Sequence, residues 1–367
     1  MGFTPPPYPY DRLDGAKAAA SAHEGGLVDL SIGTPNDPPP DAAIAALSSS
    51  GTERGYPASI GSRRLWEAAV GWMARRFGVE VAVDGVAACV GTKELVANMV
   101  GWLRLRSPDR DTVLYPSVAY PTYEMGAILA GCRAVAVDAL AEVDDGDAAR
   151  ALCLWVNSPA NPTGALADLG AHAAWGRAHG VPVLSDECYA EFTWDGLPHT
   201  ILEHGLDGVL AVHSLSKRSN LAGLRVGFYA GDPELVHYLA EVRKHAGFMV
   251  PGPVQAAAVV ALDDDTHVDE QRERYLERLW FFADVLRAEG AKVDLPGGSF
   301  YLWAQAPAGD IESPDGDPWA FTNDLAERGG VLVSPGDLYG PGGAGHVRVA
   351  MVQPMDRLRL VADRLAG

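Results

Sequence analysis

From about residue 40 to residue 250 the chain alternates short β-branched apolar runs with longer amphipathic stretches, and this alternation constrains its fold more than any other feature. A strand that returns parallel to its predecessor needs a crossover of a dozen or more residues, normally a helix. The alternation therefore predicts an α/β fold with a mainly parallel seven-stranded sheet and helices on both faces. The strand candidates are 86–90, 113–115, 134–138, 152–156, 181–185, 209–213 and 226–230. Between the first two, residues 92–106 show the helical period best, with Leu95, Met99 and Leu103 spaced by four and Val96 and Val100 beside them. After Pro251-Gly252-Pro253 the rhythm changes to a long helical region, in which Glu270, Arg274 and Arg278 interleave with Leu276, Leu279, Phe282, Val285 and Leu286. Strands near 299–304, 331–333 and 346–351 and a closing helix from about 355 read as a smaller α+β unit. The expected division is an N-terminal segment 1–40 packing with the small domain, a large domain 41–253, and an interdomain helix with a small C-terminal domain over 254–367. The Pro-rich opening and the stretch 308–318 read as loops.

Charge narrows the function classes. With 48 acidic against 29 basic residues the net charge is -19. Such a chain repels phosphate backbones and anionic lipid, so neither nucleic acid nor a membrane surface is an expected partner. Small-molecule chemistry is expected instead. No apolar run approaches the roughly 18 residues of a membrane span, and the first residues lack the basic and apolar regions of a signal peptide, so a cytoplasmic location is expected. Cys89, Cys132, Cys153 and Cys188 lie far apart without a CxxC pair, which predicts free thiols and no metal site. Only five of the 29 basic residues are lysines: Lys17, Lys93, Lys217, Lys244 and Lys292.

Ligands of open α/β sheets sit beyond the C-terminal ends of the strands. Four polar clusters fall there: Gly91-Thr92-Lys93, the stretch from Asn157 through Asn161-Pro162-Thr163-Gly164, Asp186, and Ser214-Leu215-Ser216-Lys217. Singly, each has an ordinary explanation as a helix start, a turn, a helix cap or an exposed loop. Together they supply what pyridoxal phosphate needs: a lysine amine for a Schiff base, a carboxylate against the pyridinium nitrogen, donors to the phenolic oxygen and an anion cradle. A helix starting at Gly91, Thr92 and Lys93 presents free backbone N–H groups and its positive dipole end to a phosphate. Ser214, Ser216 and Arg225 complete that cradle, since a guanidinium matches phosphate geometry with two bonds. Gly223 and Gly227, flanking Arg225, permit close backbone approach.

Ser214-Leu215-Ser216-Lys217 followed by Gly223-Leu224-Arg225-Val226-Gly227 resembles the signature of the class I/II aminotransferases, the fold-type I pyridoxal phosphate enzymes. Further landmarks match in order: Gly33, Tyr56 with Gly61, Gly91-Thr92-Lys93, Tyr120 to Tyr123, Asn161 to Gly164, Asp186 to Tyr189, Pro296 to Tyr301, and Pro335 to Gly340 before Arg348. The resemblance implies that Lys217 carries the cofactor and shuttles the proton. Asp186 keeps the ring nitrogen protonated, a pairing of roughly 4 kcal/mol for unit charges about 4 Å apart at an effective dielectric near 20. Asn161 and Tyr189 bond the phenolic oxygen, and Tyr120 stacks on the ring. Lys93 is expected to add a phosphate contact. Arg348, helped by Asn161 and the backbone at Gly33, clamps the substrate carboxylate. Tyr56 reaches the phosphate of a neighbouring subunit, which implies a homodimer with shared sites. The run of motifs is most similar to the N-succinyldiaminopimelate aminotransferases of lysine biosynthesis. An aspartate or alanine aminotransferase and a β-lyase are the alternatives, and Arg12 is a candidate for the distal carboxylate of a long substrate.

Overall fold

In the computed structural model of the chain, residues 3–308 and 315–367 are described, so 309–314 of the expected loop 308–318 and the first two residues of the Pro-rich opening lie outside the described residues. The fold separates into two compact units. The larger comprises Pro38–Glu273 with Gly297–Ser299, and the smaller comprises the residues through Asp37, Arg274–Pro296 and Phe300–Gly367. The first strand, β1 (Val28–Asp29), belongs to the smaller unit. The next seven, β2 (Val86–Cys89), β3 (Thr112–Pro116), β4 (Arg133–Val137), β5 (Ala151–Asn157), β6 (Val183–Asp186), β7 (Val209–Ser214) and β8 (Gly227–Gly231), build the larger one.

Those seven strands form one sheet in the order β2-β8-β7-β6-β5-β3-β4. All neighbours run parallel except β8, which is antiparallel to both β2 and β7. The seven expected strands and the mainly parallel sheet are therefore present. Apolar layers cover both faces: Leu154 and Val183 point into one layer with Trp72 and Phe228, while Trp155 and Leu184 point into the other with Met99 and Tyr229. Burial on both sides is why these strands read as continuous apolar runs instead of alternating ones. Strand β6 starts at Val183, later than the expected 181, because Pro182 has no N–H to give to a ladder; its carbonyl still accepts from the Leu154 N–H at 3.0 Å.

The long helical region after Pro251 is two helices, Gly252–Asp263 and Thr266–Ala288. The first is buried along Val254, Ala257, Ala258, Ala261 and Leu262 and packs against the helices Asp41–Ser49 and Arg63–Phe77. It thus belongs to the larger unit, which continues to Glu273 and does not end at the expected position 253. Periodicity identified the helix but not the surface it covers.

In the smaller unit, β1 pairs parallel with β11 (Val331–Leu332), which ties the N-terminal segment to this unit. Its second sheet joins β12 (Ser334–Pro335), β13 (His346–Ala350), β10 (Tyr301–Gln305) and β9 (Lys292–Val293) in that spatial order, all antiparallel. Strand β10 begins two residues after Ser299, whose φ of 65° lies in the left-handed region and separates the strand from the isolated bridge of Gly298 with Thr193. The helix Met355–Ala366 closes the chain. Cys89, Cys132, Cys153 and Cys188 are free thiols. Among the described residues no helix is long and apolar enough to cross a membrane.

Candidate active site

The sheet order brings the polar clusters of the larger unit to one edge. Because β8 is antiparallel to its two neighbours, β2 and β7 run parallel to each other, and both end beside the start of β8. Cys89 and Ser214 both register against Gly227. A side chain at Gly227 would meet the carbonyl oxygen of His213 at 2.6 Å and the Thr92 methyl at 3.2 Å, so glycine is what lets these three segments close up. Gly91, with φ of 74°, stands just before the helix Thr92–Arg106. A Cβ there would lie 2.1 Å from Nη2 of Arg225, which places the Arg225 guanidinium directly over the start of the helix. Arg225 itself adopts a left-handed φ of 53° and donates to the Ala222 carbonyl at 2.9 Å. Ser214 and Ser216 are buried and Lys217 is half-buried, whereas the Lys93 side chain is exposed.

Asp186 ends β6 in register with Asn157 at the end of β5. It is buried. Its Oδ2 accepts from the Tyr123 hydroxyl at 2.8 Å and its Oδ1 from the Cys188 N–H at 3.2 Å. Burial raises its pKa, against the pull of these donors and of the Lys217 charge. Tyr123 is in turn stacked on Trp155, with centroids 5.0 Å apart, and meets Tyr120 edge-on at 5.9 Å. Asn157 organises the following loop: its side chain accepts from the Asn161 N–H at 2.7 Å and donates to the Asp186 carbonyl at 2.7 Å and the Pro159 carbonyl at 3.2 Å. Asn161 and Tyr189 are both buried. Cys188 Sγ donates to Thr92 Oγ1 at 3.4 Å, which links the Asp186 loop to the helix start.

Gly33 and Arg348 lie in the smaller unit. A Cβ on Gly33 would sit 1.9 Å from the Tyr301 hydroxyl, so only glycine fits there. Arg348 is buried, donates to the Ser31 carbonyl, and has its guanidinium carbon 4.3 Å and 4.7 Å from the ring centroids of Tyr301 and Tyr339. Arg12 is not presented alone. It pairs with Asp337 at 3.1 Å and lies 4.4 Å over the Trp319 ring, so its charge is already engaged. Tyr56 is 99% exposed and lines a groove away from the strand ends.

A phosphate fits this arrangement: the Arg225 guanidinium lies against Gly91 at the start of a helix, and Thr92, Ser214 and Ser216 stand at the strand ends that meet beside Gly227. A pyridinium fits beside it, because a cation is what lowers the proton affinity of a buried carboxylate such as Asp186.

The family described as aminotransferase class I and II matches residues 26–365. The chain belongs to the class I and II aminotransferases. It is thus a pyridoxal phosphate-dependent transaminase of fold type I. It is 46% identical to a probable aminotransferase of Mycobacterium tuberculosis (strain ATCC 25618 / H37Rv), over 98% of this chain and 85% of that protein. It is 42% identical to the 4-dedimethylamino-4-oxo-anhydrotetracycline transaminase OxyQ of Streptomyces rimosus, over 98% and 99% respectively. The structure of a probable N-succinyldiaminopimelate aminotransferase from Thermus thermophilus superposes with a TM-score of 0.85 at 33% identity, over 97% of this chain and 98% of that one.

Several residues that shape the candidate site were given no role of their own by the sequence. Tyr123 and Asn157 lie inside motifs that the sequence shows, yet their bonds to Asp186 link positions 63 and 29 residues apart. Arg218, directly after Lys217, is buried and donates to Glu191 at 3.1 Å, to Asp265 at 2.7 Å, to Ser219 at 3.1 Å, and to the carbonyls of Asp264 at 3.2 Å and Ala261. Burial lowers its pKa, while Glu191 and Asp265 raise it. Removing one partner of such a buried pair leaves the other charge uncompensated. Arg218→Ala should lower the unfolding free energy by about 3 kcal/mol or more, whereas Arg63→Ala, which breaks the exposed pair with Glu67, should change it by less than about 1 kcal/mol. Denaturant titration of both variants measures this, and equal effects would show that Arg218 is not an anchor.

Proposed function

We propose that this aminotransferase moves the amino group of N-succinyl-LL-2,6-diaminopimelate to 2-oxoglutarate, with pyridoxal phosphate held at the strand ends of the larger unit. The observation that carries the cofactor assignment is Arg225 seated over Gly91 at the start of a helix, on the sheet edge that also bears Asp186 and Lys217. In this reading Gly91, Thr92, Lys93, Ser214, Ser216 and Arg225 hold the phosphate. Asp186 faces the ring nitrogen, Asn161 and Tyr189 donate to the phenolic oxygen, and Tyr120 covers one ring face. When bound, the cofactor supplies an electron sink for the electron pair left at the substrate Cα. Lys217 would hold the cofactor through its amine and, once the substrate amine had replaced it there, the freed amine would carry the proton from Cα to C4′. Arg348, beside Gly33, holds the substrate carboxylate by a two-bond fork. The clamp orients the Cα–H bond, an effect of positioning rather than of proton affinity.

Tyr56 fits a contribution from a second copy. Its ring is fully exposed on a groove of about 660 Å³ lined by Pro57, Gly252, Ala256, Val259 and Val260. A second chain covering this groove would bring Tyr56 to that chain's phosphate. Mixing an inactive Lys217→Ala chain with a Tyr56→Phe chain of weakened phosphate binding should then restore activity above either parent, because one site of each heterodimer carries neither defect. No gain despite verified exchange of subunits removes Tyr56 from the site.

For the substrate, the likeness to the probable N-succinyldiaminopimelate aminotransferase supports the proposal. The higher identity to the transaminase OxyQ supports a second reading, in which the amino acceptor is a cyclic ketone of the kind its name describes. Catalytic efficiency on succinylated diaminopimelate, free diaminopimelate, aspartate, alanine and a 4-oxo-anhydrotetracycline decides between them. The first compound is expected to lead by at least tenfold; preference for aspartate, alanine or the cyclic ketone would overturn the substrate assignment and leave the transaminase reading intact.

A further inference from the structure

Directly behind the strand ends lies a buried pair of titratable residues to which the proposed chemistry gives no role. Glu187 follows Asp186 at the end of β6, and His213 precedes Ser214 at the end of β7. The Glu187 N–H donates to the Val212 carbonyl at 2.9 Å, so the two strand ends run side by side here. Successive side chains point to opposite faces. Asp186 meets Tyr123 on one face, and Glu187 and His213 turn to the other, where the His213 ring packs against Trp72, Phe77 and Phe228 with centroids 4.9, 6.0 and 5.1 Å away.

The hydrogen bonding of the pair is lopsided. Oε1 of Glu187 accepts twice, from Ser185 Oγ and from the Ile201 N–H, each at 2.8 Å. Oε2 of Glu187 and both ring nitrogens of His213 are buried with no hydrogen-bond partner, and Oε2 stands 3.5 Å from Nε2. A proton between Oε2 and Nε2 would satisfy both atoms. A neutral ring accepting at Nε2 has a single N–H to place, with the Glu187 backbone close to the ring, whereas an imidazolium would bring two N–H donors into a space walled by aromatic faces. Two ions here would also lose most of their hydration. The neighbouring charges do not offer themselves as partners: Glu191 is taken by Trp72, Arg76 and Arg218, and Asp186 by Tyr123 and Cys188. Burial moves the two groups toward their neutral forms, raising Glu187 to about 7 and lowering His213 to about 3.

We propose that Glu187 is a neutral acid donating to Nε2 of His213, and that this uncharged tie is a positioning device that fixes the spacing of the strand ends bearing Asp186 and Lys217. The tie rests on the burial of both groups and the 3.5 Å approach of two otherwise unpartnered atoms, while its effect on turnover rests on the roles proposed above for Asp186 and Lys217. Nothing is transferred through the pair. Its proton stays between Oε2 and Nε2.

Glutamine reproduces the bonding pattern of the neutral acid, because its amide N–H can donate to Nε2 while its oxygen still accepts from Ser185 and Ile201. Leucine keeps the volume and removes the tie. The test is made on the enzyme loaded with pyridoxal phosphate, by ¹⁵N NMR of histidine-labelled protein, with the His213 signals assigned by their loss in His213→Gln, and by steady-state kinetics. The expected spectrum shows one protonated and one unprotonated ring nitrogen for His213 in the wild type and in Glu187→Gln. The expected kinetics are a kcat within about threefold of wild type for Glu187→Gln and at least a tenfold loss for Glu187→Leu with KM little changed. Two protonated ring nitrogens, or Glu187→Gln as damaged as a folded Glu187→Leu, would show an ion pair and overturn the neutral tie. If Glu187→Leu does not fold, the spectrum and the Glu187→Gln kinetics decide. A neutral spectrum with full activity in Glu187→Leu would overturn the positioning role and direct doubt to the roles given to Asp186 and Lys217, leaving the tie itself in place.

Discussion

Burying the carboxylate of Asp186 at the end of a central strand is costly, and much of the surrounding structure serves to offset that cost. A carboxylate out of water needs donors or a cation. Tyr123 and the Cys188 N–H supply the donors, and Lys217 supplies part of the electrostatic compensation, yet burial still raises the proton affinity of the group. Trp155 stacks on the Tyr123 ring, and Asn157 and the ladders with β5 and β7 hold the backbone at Asp186. A pyridinium is the kind of group that completes such a site, since it brings a positive N–H to a carboxylate already aimed and desolvated.

The reversed strand β8 has an equal share in the arrangement. In a wholly parallel sheet, β2 and β7 would each be flanked by crossover helices. With β8 running back between them, their C-terminal ends stand on either side of its first residue, and Gly227 leaves the room that this approach needs. Gly91 repeats the device one layer out, by making way for the Arg225 guanidinium. The segment carrying Lys217 is then pinned from behind by Arg218, whose fork reaches the residues that link the helices Gly252–Asp263 and Thr266–Ala288. This contact is one reason that the first of these helices belongs with the larger unit.

The sequence announced those parts of the structure whose signal is local. The seven strands of the larger sheet were legible because each is a short apolar run, largely buried on both faces in all but the edge strand β4, and Gly91, Asn161, Asp186 and Lys217 were legible because they stand where such runs end. The two-residue strands Val28–Asp29, Lys292–Val293 and Ser334–Pro335 were not, being too short for any periodicity. The end of the larger unit at Glu273 was missed because an evenly apolar helix, Gly252–Asp263, does not reveal which neighbour buries it. Glu187 and His213 were passed over for a related reason. Each reads as an ordinary polar residue beside a motif, and only the pairing of β6 with β7 shows that they face one another.

In the proposed function the strand ends of the larger unit deliver a single lysine, Lys217, to the cofactor. Borohydride reduction of the enzyme loaded with pyridoxal phosphate, followed by mass-spectrometric mapping of the modified peptide, tests it most directly. One labelled residue, Lys217, is expected. A label on Lys93, at the exposed start of the helix Thr92–Arg106, or on Lys244 would contradict it.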